Sequence, residues 1–106
     1  MKNEVYHNGV LIKKIDLREL ADAKRLNIDY KKEQATQAIQ SAGLDESTQQ
    51  NAAIGIYPPE RCEAIKSYIA ACRNEYLRCK ALILSAQTND EADAVQFVAP
   101  PVPEGI

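Results

Sequence analysis

The chain of 106 residues has no tryptophan, a single phenylalanine (Phe97), a single histidine (His7), four glycines and three cysteines. With so few large aromatic side chains, any core is thin and rests on alanine and a few branched residues. Such a chain is a candidate for finishing its core against a partner. A lone histidine leaves a cysteine nucleophile almost no base to activate it, and it breaks the usual zinc-ligand patterns. An odd number of cysteines also fits poorly with a closed disulfide framework. No Gly-rich phosphate loop, nucleophile elbow or acidic metal cluster is present. The expectation is a non-enzymatic protein without cofactor. No run approaches the ~18 apolar residues of a membrane span. The opening MKNEVYHNGVLIKK lacks the apolar stretch of a signal peptide, so synthesis and retention in a reducing cytoplasm are expected, with no membrane partner.

What is present is ordinary for one soluble domain: 45% hydrophobic and 26% charged residues, with a net charge of −2 that favours no charged partner. Residues 4–13 read EVYHNGVLIK, where Asn8-Gly9 between two β-prone runs predicts a hairpin with a two-residue type I′ turn. Its register pairs His7 with Val10, Tyr6 with Leu11, Val5 with Ile12 and Glu4 with Lys13. Two strands alone are marginal in water, so this hairpin is expected to dock, either on the 94–99 segment AVQFVA or on another protein. A first long helix is predicted over 16–42, with Asp16 and Glu19 as a capping box and Gly43 as the stop. Its stripe is Leu17, Ala21, Lys24, Ile28, Lys31, Ala35, Ala38 and Ala42, flanked by Leu20 and Ile39, while Leu26 and Tyr30 fall opposite. A turn segment over 43–58 follows, in which Asp45 or Ser47 caps a short helical turn through Ala53. Pro59 suits the first position of a second long helix over 59–86. Thr88 and Glu91 offer another capping box for a short helix over 89–95, and 96–106 is a Pro-rich extended tail. The predicted fold is mainly α: two long antiparallel helices with a small N-terminal β-hairpin and an extended tail.

All three cysteines fall on one spacing. Cys62, Ile65, Ile69, Cys72, Tyr76, Cys79, Ile83 and Ala86 step by 3 and 4 residues along the second long helix, an a/d heptad seam. Free cysteine packs as a small buried hydrophobe, so the pattern reads as packing rather than chemistry. The same seam is a candidate oligomer contact, in which equivalent cysteines of two chains would meet. Arg18, Arg25 and Lys32 recur every seven residues as a basic ridge on the first helix, a pattern that most often marks a solvated face. Nucleic-acid binding is therefore not the expected role.

The turn residues Asp45, Ser47, Thr48, Gln49 and Asn51, set between two long helices, resemble the D-x-x-[ST]-Q-x-N-like turn of small tailed-bacteriophage proteins associated with tail fibres. The opening YHNGVLI is similar to the strand that begins many of them. The resemblance implies a non-enzymatic structural or adaptor protein of the virion, in the tail, baseplate or fibre region. It would be made in the host cytoplasm, with other virion or tail proteins as partners in a homo- or hetero-oligomer. Tyr6, Leu11, Leu26, Tyr30 and Phe97 are the candidate partner contacts. A tail or tail-fibre assembly chaperone not retained in the particle, and a small nucleic-acid-binding regulator using the basic ridge, are the alternative roles. The seam cysteines depart from the resemblance and point to permanent assembly.

Overall fold

A computed structural model describes residues 18–106 with their side chains, and over these the regular structure is entirely helical. The hairpin expected over 4–13, with its Asn8-Gly9 turn and its Tyr6 and Leu11, lies outside the described residues. The helices are α1 (Leu20–Ser41), α2 (Glu46–Ala53), α3 (Pro59–Ser85) and α4 (Asn89–Ala94). Helix α3 packs against each of the other three, and α4 also closes onto α1.

The N-cap of α1 lies three residues later than the capping-box reading places it. Glu19, not Asp16, is the N-cap, in extended backbone and without a side-chain cap bond. Contacts from the far end of the chain hold this entry instead. The Arg18 guanidinium pairs with Asp93 at 2.7 Å, and Asn27 Nδ2 donates to the other oxygen of Asp93 at 2.8 Å. Asn89 Nδ2 donates to the Arg18 carbonyl at 2.9 Å. A local cap would satisfy one or two amides; this clamp satisfies none of them and instead brings α4 down on α1.

The other end of α1 follows local rules. Gly43 takes φ +83°, the Gly43 amide donates to the Gln40 carbonyl and the Leu44 amide to the Ile39 carbonyl. This is a Schellman turn, and its usual apolar contact is made by Leu44 against Ile39. Asp45, not Ser47, then caps α2 by accepting from the Thr48 amide at 2.8 Å. That bond holds the Asp45 carboxyl below its usual range. The turn segment is thus organised as a two-turn helix. It ends in a second Schellman turn, with Gly55 at φ +77° and the Ile56 amide donating to the Asn51 carbonyl. Pro58 and Pro59 launch α3, with Pro59 at the first position, where its missing N–H costs nothing. Thr88 caps α4 by accepting from the Glu91 amide at 3.1 Å. The Glu91 carboxylate reaches the Gln87 amide rather than that of Thr88.

The core has two clusters along the inner face of α3. Leu44, Ala52, Ile65, Tyr68 and Cys72 form one; Ile83, Ala86 and Ala92 form the other, with Ile28 and Val95 packed against it. On α1 the buried positions are Ala23, Lys31 and Ala35, whereas Ala21 is exposed. The stripe read from the sequence is therefore out of phase at its start, because α4 covers the Ala23–Asn27 side.

Two substitutions in the α1–α2 turn separate strain from burial. Nothing lies within 4 Å of a Cβ built on Gly43, so Gly43→Ala is expected to cost only the left-handed backbone penalty, about 1–2 kcal/mol. Leu44→Ala, emptying a fully buried site, is expected to cost about 2–5 kcal/mol. Urea unfolding followed by circular dichroism measures both. A Gly43→Ala loss as large as that of Leu44→Ala would mean the turn is under other constraints.

Candidate interaction surfaces

The seam residues of α3 sort into two groups. Cys62, Ile65, Cys72, Cys79 and Ile83 are buried, while Ile69 and Tyr76 are half-buried toward one side. The buried group packs on the chain's own Leu44, Ala52 and Ala92 and on the tail, which leaves those positions no surface for a second copy. The seam is an internal one, not the oligomer contact proposed from the heptad. Tyr68, absent from that heptad, is buried as deeply, and its hydroxyl donates to the Ala38 carbonyl at 3.3 Å. Its spacing of three from Ile65 and four from Cys72 was a helical signal in its own right. A strict 3.5-residue period passes over it, whereas an α-helix turns every 3.6 residues.

The cysteine environments favour inert thiols. Cys62, Cys72 and Cys79 are all free and buried. The Cys62 thiol donates to the Tyr57 carbonyl at 3.3 Å. Burial pushes the Cys72 thiol up in pKa against a small opposing effect from the Tyr68 hydroxyl. Burial, reinforced by the Glu75 carboxylate, does the same at Cys79. A raised pKa means little thiolate, the form that attacks electrophiles and binds metals. Among the described residues, no three His, Cys, Asp or Glu side chains lie together as a metal site. No helix among them is long and apolar enough to cross a membrane.

The tail is held by one charged pair of α3. Glu75 accepts from Arg78 Nε at 2.6 Å and from its Nη2 at 2.7 Å. The same carboxylate accepts from the Val98 amide at 2.8 Å, and Arg78 donates to the Gln96 carbonyl at 2.9 Å. The Cys79 thiol also donates to that carbonyl at 3.4 Å. The tail is thereby strapped along the side of α3, and Ile106 returns to the Ile65–Cys72 cluster. Between tail and helices runs a groove of about 560 Å³ lined by Tyr30, Gln34, Tyr68, Phe97, Pro100 and Val102. The side-chain oxygen of Gln34 is buried there without a hydrogen-bond partner.

Of the expected partner contacts, Leu26 is 49% exposed, and Tyr30 is 60% exposed at the edge of the tail groove. Phe97 is half-buried in the tail groove beside Tyr30. Lys31, nearly buried, holds its ammonium 5.0 Å from the Tyr30 ring centre. Sequence reading missed Leu77 and Leu84, which stay 46% and 54% exposed on α3. Their i, i+7 spacing is the signal that finds them.

The Glu75 clamp sets a pH window. Its hydrogen bonds to Arg78 hold the carboxyl down at about 2 against an ordinary 4.5. A depressed folded-state pKa stabilises the clamped form fully above about pH 4.5, and that contribution is lost as pH falls toward about 2. The chain has no tryptophan, so Phe97→Trp makes a unique reporter, whose emission is expected to shift red across this window. Adding Glu75→Gln should abolish the transition; an unchanged midpoint would assign it to another carboxylate. For the thiols, a disulfide-exchange reagent is expected to modify Cys72 and Cys79 in the native protein at least ~100-fold more slowly than in denaturant. Rapid native labelling of either would overturn the packing assignment. Comparison with family models, with curated proteins and with solved structures gives no match for this chain.

Proposed function

We propose that this chain is a non-enzymatic adaptor that packs among neighbouring proteins of a tailed-phage virion, in its tail, baseplate or fibre region. The observation that carries the reading is the distribution of apolar side chains. The core closes within the chain around α3, yet Leu26 and Tyr30 remain more exposed than large apolar residues need be. Burying such side chains against a neighbour is worth about 1.5–3 kcal/mol each. The burial of all three thiols, which raises the pKa of Cys72 and Cys79, supports the non-enzymatic part of the reading. The phage part rests on the DESTQQN turn and on the YHNGVLI opening, proposed as a hairpin that docks on a neighbour. The polar turn residues have internal work: Gln49 donates to the Leu44 carbonyl at 2.9 Å and Asn51 to the Tyr57 hydroxyl at 3.2 Å. They orient α2 between the long helices and thus suit a structural motif.

Quantitative mass spectrometry of purified particles of the producing phage tests the role. The expected result is retention in fixed stoichiometry; presence in assembly extracts but absence from particles would make the chain an assembly chaperone. Leu26→Asp is expected to change the stability of the isolated protein by less than about 0.5 kcal/mol, as an exposed substitution should. It should nonetheless lower recovery in particles severalfold. Wild-type recovery would remove this face from the contact surface.

A further inference from the structure

The α1–α3 seam has two sides, and the tail covers only one. On the other, two shallow grooves lie in line. One, of about 430 Å³, runs between Ala35 and Ile39 of α1 and Ile69, Tyr76 and Leu77 of α3. The next, of about 310 Å³, is bounded by Ala21, Ile28 and Leu84. From Ile39 to Ala21 the floor spans about five helical turns, or ~27 Å at 1.5 Å per residue.

The charge along this floor is mainly basic. Arg25 and Lys32 flank it on α1, and both line the grooves. On α3, Lys66, Arg73 and Lys80 repeat every seven residues, which places them on the same face as Ile69, Leu77 and Leu84. The acidic residues nearby are Asp29, which lines the second groove, and Asp22, which meets Arg25 at 3.8 Å. Lys24 is turned inward and donates to the Leu84 carbonyl at 2.7 Å. Among the described residues Lys32, Lys66, Arg73 and Lys80 have no ion-pair partner.

We infer that this face is a docking groove for an acidic amphipathic helix of another protein, about five turns long. An apolar stripe at i, i+3, i+4 and i+7 fills the groove between two helices, and glutamates beside the stripe meet both basic borders. A second copy of this chain is disfavoured, because a two-fold contact would set the basic borders against themselves. Nucleic acid is disfavoured because the floor between the cations is aliphatic, with Tyr76 as its sole aromatic, and stacking on such a floor has little support. The inference rests on the adaptor reading only in taking the occupant to be a protein, and it names a surface that Leu26 and Tyr30 do not share.

The test uses the full chain and a labelled 18-residue helical peptide with leucines at that spacing and flanking glutamates, followed by fluorescence anisotropy. Saturable binding is expected, weakening by at least ~10-fold in Leu77→Asp and in Arg73→Glu, and weakening with added salt. Leu26→Asp should bind as wild type. Circular dichroism of each variant verifies the fold, which the exposure of Leu77 should protect. Equal affinity for a peptide with lysines in place of the glutamates would overturn the charge argument. So would binding of duplex DNA that Arg73→Glu abolishes and Leu77→Asp leaves intact, or self-association of the free chain that Leu77→Asp abolishes. The two readings fail separately. Peptide binding with the chain absent from particles sinks the virion role alone. Retention in particles with no peptide binding by the wild type sinks the groove alone.

Discussion

Burial of one strip along α3 is the constraint on which the remaining structure depends. The strip is served by different parts of the chain in turn: α2 and the Leu44 turn near Cys62 and Ile65, α1 along its length, the tail at Cys79, and α4 at Ile83. None of these elements has enough apolar surface to hold its place without α3. The six residues of α4 include three acids and just one fully buried side chain, Ala92. An isolated helix of that length does not form in water. Its cap at Thr88 and its clamp through Asp93 to Arg18 and Asn27 matter because packing alone is too weak.

Small side chains are a consequence of the same constraint. Alanine and cysteine in the strip allow α1 and α3 to approach closely, so the apolar contact is made as much by backbone and Cβ as by large side chains. Cysteine adds polarizable bulk where leucine would overpack. It also brings a weak donor, used at Cys62 toward the Tyr57 carbonyl and at Cys79 toward Gln96. The three thiols thus behave as packing groups with a secondary polar function.

The parts legible in the sequence were those governed by local rules. Gly43 as the α1 stop, Pro59 as the start of α3 and Thr88 as the α4 cap all act within one turn of chain, and each is where the spacing put it. The start of α1 was not legible, since Arg18 is held by residues more than seventy positions away. Nor was the inward direction of the cysteine strip: a heptad fits an internal seam and an intermolecular one equally well. What distinguishes them is the presence of α2, α4 and the tail on that face. Tyr68 was missed for a simpler reason, a period of 3.5 imposed on a helix of 3.6 residues per turn. The α3 basic row at Lys66, Arg73 and Lys80 was as readable as the α1 ridge, but its meaning depends on the two rows bordering one groove.

The two sides of the α1–α3 seam show what the chain can and cannot supply for itself. Toward the tail, Glu75 gathers Arg78 and the Val98 amide, and a proline-rich extended segment runs beside the buried Tyr68 and the exposed Tyr30. Proline lowers the entropy lost when such a segment is fixed, so bonds to the Gln96 carbonyl and the Val98 amide suffice to hold it. Toward the other side no segment among residues 18–106 is left over, because every one is already committed to α3 or α1. Among the described residues nothing covers the floor from Ile69 to Leu84, and Lys32, Lys66, Arg73 and Lys80 stand along it without an ion-pair partner. Cations beside an open apolar groove keep copies of the chain apart while leaving the surface available to an oppositely charged one. On the docking proposed above, the row of charges that discourages self-association is also the one that selects the partner.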